Sequence, residues 1–179
     1  MLDALERLLV SGGDRAATLD AVAREAGVSK GGLIYHFPSR EAMVEGLLDR
    51  LRERASEDLA AMLAAPEGAV AYFLKTSQGA VTPFDRTLVA ATRLRSHASA
   101  RQTLAEVQRQ WYDAVLADVR DPTIAQMVML IGDGLYHAAS APDALAGVEG
   151  SPQSATSVDD MVGLISELVR LRAAEAPRS

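Results

Sequence analysis

Cysteine is absent from the 179-residue chain, and several other residue types are scarce. Without cysteine the chain has no disulfide, no thiolate metal ligand and no cysteine nucleophile. Aromatic residues make up 4% of the sequence, and lysine occurs only at Lys30 and Lys75. No apolar run reaches the roughly 18 residues of a membrane span, and the N-terminus lacks the basic-then-apolar order of a signal peptide. We therefore expect a cytoplasmic protein without membrane contact.

The charge balance is acidic, with 18 basic and 24 acidic side chains and a net charge of −6. Such a balance argues against a surface covered with bases for nucleic acid. Residues 26–40, however, contain Lys30, His36 and Arg40 and no acid. A small basic face on an acidic body therefore remains compatible with the composition, and the 49% of apolar residues suffices for a sizeable core.

Apolar residues recur at spacings of three and four, and the period-2 alternation of strands is missing. The sequence therefore predicts an all-α protein of about nine helices. Helix starts are indicated by Thr18, Ser29, Ser99 and by the pairs Thr82–Pro83 and Asp121–Pro122. Ser157 with Asp160 resembles a capping box. The predicted helices include a first one that stops at Gly12–Gly13, and others at about 19–26, 29–37, 39–64, 69–76, 83–97 and 122–141.

The segment from Thr18 to Phe37 fits a helix-turn-helix, with a tight Gly27-Val28-Ser29 turn between two short helices. Ala23 and Ala26 are small enough for the helices to cross closely. The second helix would offer its N-terminal end, with free amides and Lys30, to the major groove of DNA. A simple helical hairpin within a bundle is the alternative interpretation of this segment.

Residues 18–42, TLDAVAREAGVSKGGLIYHFPSREA, closely resemble the DNA-binding domain of the tetracycline-repressor (TetR) family. The resemblance covers about the first 50 residues, and Asp133-Gly134-Leu135-Tyr136 is similar to a tract in the family's penultimate long helix. The resemblance implies a DNA-binding domain over 1–46 and a helical ligand-binding and dimerisation domain over 47–179. It also implies a homodimeric repressor that binds a palindromic operator and is released by a small-molecule effector.

The family's DNA-contacting positions carry over to eight residues of this sequence. They are Thr18, Ser29, Lys30, Gly31, Gly32, Tyr35, His36 and Arg40. Thr18, Tyr35, His36 and Arg40 are expected at phosphates, whereas residues 30–32 form the first turn that faces the bases. His36 could instead be a buried residue that only supports the motif.

Two positions depart from the family pattern. Ile34 stands where many members have a phosphate-contacting tyrosine. Gly31 and Gly32 remove side-chain contacts to bases, and each costs the helix about 1 kcal/mol relative to alanine. We infer that close backbone approach and DNA shape contribute more than usual to recognition, with Lys30 as the best candidate for a direct base contact.

The last two helices are apolar over more of their surface than one buried stripe requires. The resemblance implies that they pair with those of a second subunit in a four-helix dimer interface. A two-fold dimer would place its recognition helices about 34–36 Å apart, to match a palindromic operator. A monomer with a large core is the alternative.

The middle helices carry residues that could line a small-molecule pocket. The candidates are Phe73, Arg93, His97, Trp111, Tyr112, Tyr136 and His137. Each of them, taken alone, could equally be plain core or surface, and the chemistry of the ligand is not readable from the sequence.

Two other functional classes remain open. A DNA-binding protein of the same fold could have a structural or partner-protein role without an inducer, and a filled core in place of a cavity would favour it. An enzyme is the weakest option, because the three histidines share no metal-ligand spacing and no phosphate loop or nucleophile elbow occurs. We expect no cofactor and no metal.

Overall fold

The computed structural model of the protein describes residues 1–78, 82–140 and 157–175. These residues form nine α-helices and a single 3₁₀ turn, Asp14–Ala16, with no strand among them. The predicted all-α class is thereby confirmed. None of the helices in this part of the chain combines the length and apolar character needed to cross a bilayer. The helices are α1 Leu2–Gly12, α2 Leu19–Glu25, α3 Lys30–His36, α4 Arg40–Ala64, α5 Ala69–Ser77, α6 Pro83–Thr92, α7 Ala98–Val119, α8 Pro122–Ser140 and α9 Val158–Glu175.

Side-chain caps fix most of the predicted helix starts. Thr82 and Asp85 form a capping box at α6. The Asp121 carboxylate accepts from the N–H groups of Thr123 and Ile124 at 2.8 and 3.1 Å at α8. The predicted box at α9 is also present, since Ser157 Oγ accepts from the Asp160 N–H at 3.1 Å and Asp160 accepts from the Ser157 N–H at 3.2 Å. Each cap satisfies N–H groups in the first turn of its helix. Because the cap and these N–H groups are close in sequence, short-range sequence patterns predict such caps well.

The prediction was wrong for the end of α6 and the start of α7. The helix expected to reach His97 ends at Thr92, and α7 begins at Ala98, before the proposed cap Ser99. Hydrogen bonds between residues three apart replace the helical ones in this turn. In one of them the His97 N–H donates to the Leu94 carbonyl at 2.8 Å. Leu94 is fully buried in this turn. Tertiary packing of Leu94 therefore overrides the local helical periodicity.

The chain divides into two compact units by packing. Unit 1 comprises Met1–Asp58 and Val81–Arg109, and unit 2 comprises Leu59–Ala80 and Gln110–Ser179. Both α4 and α7 begin in unit 1 and end in unit 2. The functional boundary predicted after residue 46 does not coincide with a boundary of these packed units, and it stays a prediction. The core of unit 1 is aliphatic and includes Leu5, Leu9, Leu33, Leu47, Leu48, Leu51 and Leu94.

The core of unit 2 is built by α5 against α8 and α9, together with the C-terminal part of α7. The Phe73 ring lies 6.0 Å from the Trp111 ring between centroids. A Cβ at Gly132 would fall 2.2 Å from Phe73 Cε1, so α8 approaches that ring more closely than any other residue would permit. The two predicted pocket residues thus pack in one apolar cluster.

A buried carboxylate lies in the interior of unit 1. Glu6 on α1 is 5% exposed, and its Oε1 accepts from Thr87 Oγ1 at 2.7 Å, from Arg50 at 3.1 Å and from Arg54 at 3.4 Å. Arg54 also donates to Thr87 Oγ1 and to the Pro83 carbonyl. Three helices, α1, α4 and α6, therefore meet at one carboxylate.

We expect Glu6→Gln to lower the free energy of unfolding by about 2–3 kcal/mol, because the substitution leaves the half-buried Arg54 guanidinium without a counter-charge and Arg50 with the exposed Asp3 alone. Urea unfolding followed by circular dichroism measures the loss. Asp49→Asn is the matched control, since Asp49 pairs with Arg52 at 2.7 Å on the exposed surface and its loss should cost less than about 0.5 kcal/mol. Equal effects of the two substitutions would contradict the role assigned to Glu6.

Candidate nucleic-acid interface

The helix-turn-helix is formed by α2 and α3 and the turn between them. Gly27 in the turn has φ +67°, which glycine adopts without the cost that a side chain would bring. Val22, Ala23 and Leu33 are buried between the two helices and the rest of unit 1. Of the two small residues expected at the helix crossing, Ala23 is buried and Ala26 is partly buried, and the outer face of α3 is left exposed.

The first turn of α3 is open along Ser29, Lys30 and Gly31. Ser29 Oγ accepts from the Gly32 N–H at 3.0 Å, which makes Ser29 the predicted N-cap. A Cβ at Gly32 would lie 3.2 Å from Ser29 Oγ, so a small residue is favoured there by the cap itself. A Cβ at Gly31 would meet nothing within 4 Å. Packing among the described residues therefore does not explain why position 31 is a glycine.

The ammonium of Lys30 is not isolated on this surface. Its Nζ lies 2.9 Å from a carboxylate oxygen of Asp20, on the first turn of α2, and both side chains are more than half exposed. Because the ion pair spans ten residues between two helices, the spacing of the residues alone could not reveal it.

The C-terminal end of α3 presents an aromatic pair to solvent. Tyr35 is 85% exposed, and its ring meets that of the exposed His36 edge-on with centroids 5.3 Å apart. The exposure of His36 does not agree with the alternative of a buried supporting histidine. Ile34 is also exposed. The helix thus ends in groups that can reach a partner surface.

Thr18 and Arg40 both make internal bonds. Thr18 Oγ1 accepts from the Ala21 N–H at 3.2 Å as the cap of α2, which leaves its hydroxyl proton available. Arg40 forms an ion pair with Asp14 and donates to the Asp14 and Ala17 carbonyls at 3.0 and 3.3 Å. Phosphate contact by Arg40 stays a prediction, and the observed bonds give it a structural role at the 3₁₀ turn.

Asp14 is the acceptor that holds this corner together. Burial acts to raise the pKa of Asp14, but the hydrogen bond and charge of Arg40, with His97 beside it, hold that pKa below its ordinary value. His97 Nε2 lies 3.4 Å from the Asp14 carboxylate. The carboxylate therefore remains ionised and ties the turn before α2 to the start of α4 and the turn before α7.

The seven predicted ligand residues are distributed over both units. Arg93 and His97 belong to unit 1, where Arg93 is exposed and His97 faces Asp14. The other five belong to unit 2, where Phe73 is buried, Trp111, Tyr112 and Tyr136 are partly buried, and His137 is exposed. His137 Nδ1 lies 2.8 Å from the Asp133 carbonyl of its own helix. A role in ligand binding stays a prediction for all seven.

The described residues hold no cluster of three or more histidine or acidic side chains arranged to bind a metal ion.

Comparison with known families and structures gives a consistent result. Residues 1–47 match the family model of the bacterial regulatory proteins of the TetR family. One similar structure is that of a transcriptional regulator from Saccharomonospora viridis, solved in complex with choline. Its TM-score is 0.59 and its sequence identity is 16%, and the match covers 94% of this chain and 93% of that one.

Two Rhodococcus structures are also similar. One, assigned to the TetR family of transcriptional regulators, has a TM-score of 0.58 and 19% identity over 95% of this chain and 97% of its own. The other, a TetR-like transcriptional regulator from strain RHA1, has a TM-score of 0.52 and 22% identity over 97% and 93%. The comparison with curated proteins gave no match. At these identities the structures establish the fold.

We expect Asp20→Asn to strengthen DNA binding about three- to tenfold at low salt, because Lys30 no longer has to leave a carboxylate to reach DNA. Fluorescence anisotropy with a duplex selected from a random pool measures the change. Asp49→Asn on α4 is the control for the loss of one exposed negative charge. If the two variants bind equally, Lys30 does not contact the duplex.

We expect Gly31→Ala to stabilise the protein by about 0.5–1 kcal/mol, as alanine does in an exposed helix, and yet to weaken binding of the same duplex at least about fivefold. The methyl group would stand where the backbone approaches the groove. Urea unfolding and anisotropy give the two readouts on one preparation. A variant that is both more stable and equally tight would show that the backbone of α3 does not approach the bases.

Proposed function

We propose that this chain, which carries the DNA-binding domain of the TetR family over residues 1–47, is a homodimeric transcriptional repressor in the cytoplasm. It binds a palindromic operator and leaves it when a small-molecule effector binds. Residues 1–46 contact DNA, and residues 47–179 carry the effector site and the dimer interface. The observation that carries the proposal is the exposed first turn of α3, capped by Ser29 and followed by the exposed Tyr35 and His36.

DNA recognition combines a few contacts of different kinds. Lys30 exchanges Asp20 for a base edge or a phosphate, while the backbone at Gly31 and Gly32 approaches the groove closely. Thr18, Ser29, Tyr35 and His36 supply neutral donors to phosphates, and Arg40 orients the motif from behind or reaches a phosphate itself. Because Gly31 and Gly32 present no side chains to the bases, DNA shape contributes to the choice of sequence.

The dimer interface is formed by the outer faces of α8 and α9. Met127 and Leu130 on α8 and Leu164 and Leu171 on α9 are large apolar side chains that the described subunit leaves exposed. Gly134 and Gly163 have open space at the position of a Cβ, which permits close approach of a partner helix. Two such faces in a two-fold arrangement bury each other as a four-helix interface.

The effector acts through unit 2. The choline complex of the Saccharomonospora viridis protein supports small-molecule binding in a fold of this kind. The aromatic side chains of Phe73, Trp111, Tyr112 and Tyr136 supply apolar surface for such a ligand, and the long helix α4 continues from unit 2 into the DNA-binding domain. The effector can shift DNA affinity only by as much as it prefers one state of the protein over the other.

A second candidate function is DNA binding with a partner protein and no inducer. The close packing of Phe73 on Gly132 and beside Trp111 favours it, because a filled core leaves no room for a ligand. Broadening of amide resonances confined to unit 2 in a small-molecule screen would favour the effector. A screen without any such response, in a protein that represses, would favour the partner.

Selection of bound fragments from a random duplex pool tests the proposed function. We expect wild-type protein to enrich an inverted repeat whose half-sites are about 10 base pairs apart or a multiple of that spacing. Leu130→Glu, at a side chain that is 62% exposed, should leave the fold intact, yield monomers in sedimentation and lose the palindrome.

Leu63→Glu is the matched control, because Leu63 is 64% exposed on α4 and lies outside α8 and α9. That variant should stay dimeric and select the same repeat as wild type. Enrichment of no sequence at all would contradict DNA recognition. A dimer that survives Leu130→Glu would contradict the interface alone.

A further inference from the structure

A half-open cleft lies between α1 and the first turns of α6, within unit 1. Its volume is about 760 Å³, and its lining includes Val10, Ser11, Pro83 and Arg86, with Glu6 and Arg54 of the buried network. This volume falls within the range of roughly 300–1,000 Å³ typical of small-molecule sites. None of the seven predicted ligand residues lines it. The cleft is therefore distinct from the proposed effector site in unit 2.

The charges around the cleft do not cancel. Asp3 pairs with Arg50, and the hydrogen bond from that guanidinium, with its charge, holds the pKa of Asp3 below its ordinary value. Glu6 is bound by Thr87 and two arginines, and Arg7 pairs with Glu25 at 2.7 Å. The Arg86 side chain is exposed and makes no hydrogen bond or ion pair with the described residues, although its backbone N–H donates to the Thr82 carbonyl at 3.2 Å. One guanidinium is thus the charge left over.

Two apolar side chains, Val10 and Pro83, also line the cleft. Val10 is 42% exposed on α1, although the other large apolar residues of that helix are buried or half-buried. The ring of Pro83 forms the opposite edge, at the first position of α6. An apolar surface beside a single unpaired guanidinium suits a ligand with a hydrocarbon body and one anionic end.

We propose that this cleft is a binding site for a small organic anion with an apolar body, such as a medium-chain carboxylate. The carboxylate accepts hydrogen bonds from Arg86, whose planar guanidinium can donate two at once. The hydrocarbon part lies along Val10 and Pro83. An occupant of the cleft touches α1, α4 and α6 together and rests on the Glu6 network.

A series of probes with one chain length tests the charge requirement. Octanoate, octanol and octylamine are titrated into ¹⁵N-labelled full-length dimer without DNA, and amide shifts are followed by NMR. We expect saturable shifts at α1 and α6 with octanoate, at least about tenfold weaker binding of octanol, and no saturable binding of octylamine at the cleft. Because no DNA is present, the result is independent of the proposed repressor activity.

Two variants test the residues. Arg86→Gln should weaken octanoate at least about fivefold, to near the affinity of octanol, whereas Arg95→Gln, at another exposed arginine of unit 1, should not. Val10→Trp should block all three probes by filling the cleft. Both Arg86→Gln and Val10→Trp alter exposed positions, and unfolding curves verify that they fold.

Several results would overturn the proposal. Octylamine binding as tightly as octanoate would remove the charge argument, and equal affinities for Arg86→Gln and Arg95→Gln would remove the role of Arg86. Octanoate shifts confined to unit 2, or none at millimolar octanoate, would show that the cleft does not bind such anions. A protein that binds octanoate here but no duplex would refute the proposed function and leave this site standing.

Discussion

The carboxylate of Glu6 is the constraint on which unit 1 depends. A carboxylate transferred from water into a protein interior loses several kcal/mol of hydration, and the loss is offset only by well-placed charges and donors. Here the donors come from two other helices: Arg50 and Arg54 from α4, and Thr87 from α6. The positions of α1, α4 and α6 are therefore coupled, since none can move away without leaving a charged or polar group unsatisfied.

Internal ion pairs also shape the electrostatics of the helix-turn-helix surface. Arg40, Arg50 and Arg54 are basic residues near the motif, yet each is bonded to acceptors of its own subunit. Lys30 is held by Asp20 on the exposed surface. Every lysine and arginine of α3 and α4 is thus engaged within the chain, so each must leave an internal acceptor before it can neutralise a phosphate. Discrimination then rests on the shape of α3 and of the duplex.

Much of the fold is local and was predictable from the sequence. The caps at Thr18, Ser29, Asp121 and Ser157 lie where their spacing indicates, because an N-cap and the amides that it satisfies are within three residues of each other. The inner face of the helix-turn-helix follows in the same way from apolar periodicity. The turn at Gly27-Val28-Ser29 and the polar residue Lys30 likewise indicate that the first turn of α3 is exposed.

The rest depended on contacts between distant residues. The turn at 93–97 exists because Leu94 is buried, and the acceptor of Arg40 lies 26 positions earlier in the chain. The Glu6–Thr87 bond spans 81 positions. A single sequence contains no signal for such pairs, since neither residue type nor spacing singles them out. The cleft beside α6 was missed for the same reason.

The functional boundary proposed after residue 46 does not coincide with the boundary between packed units, and the Glu6 network explains why. A domain cut after residue 46 would keep Glu6 on α1 and remove Arg50, Arg54 and Thr87, all the groups that satisfy it. The excised piece would also lose the apolar residues Leu47, Leu48 and Leu51 of α4, which are fully buried in the intact chain. The helix-turn-helix thus depends on contacts with α4 and α6 for its stability. Any ligand or partner that displaces either helix acts on α1, and through the packing of α1 on α2, on the exposed surface that we propose to contact DNA.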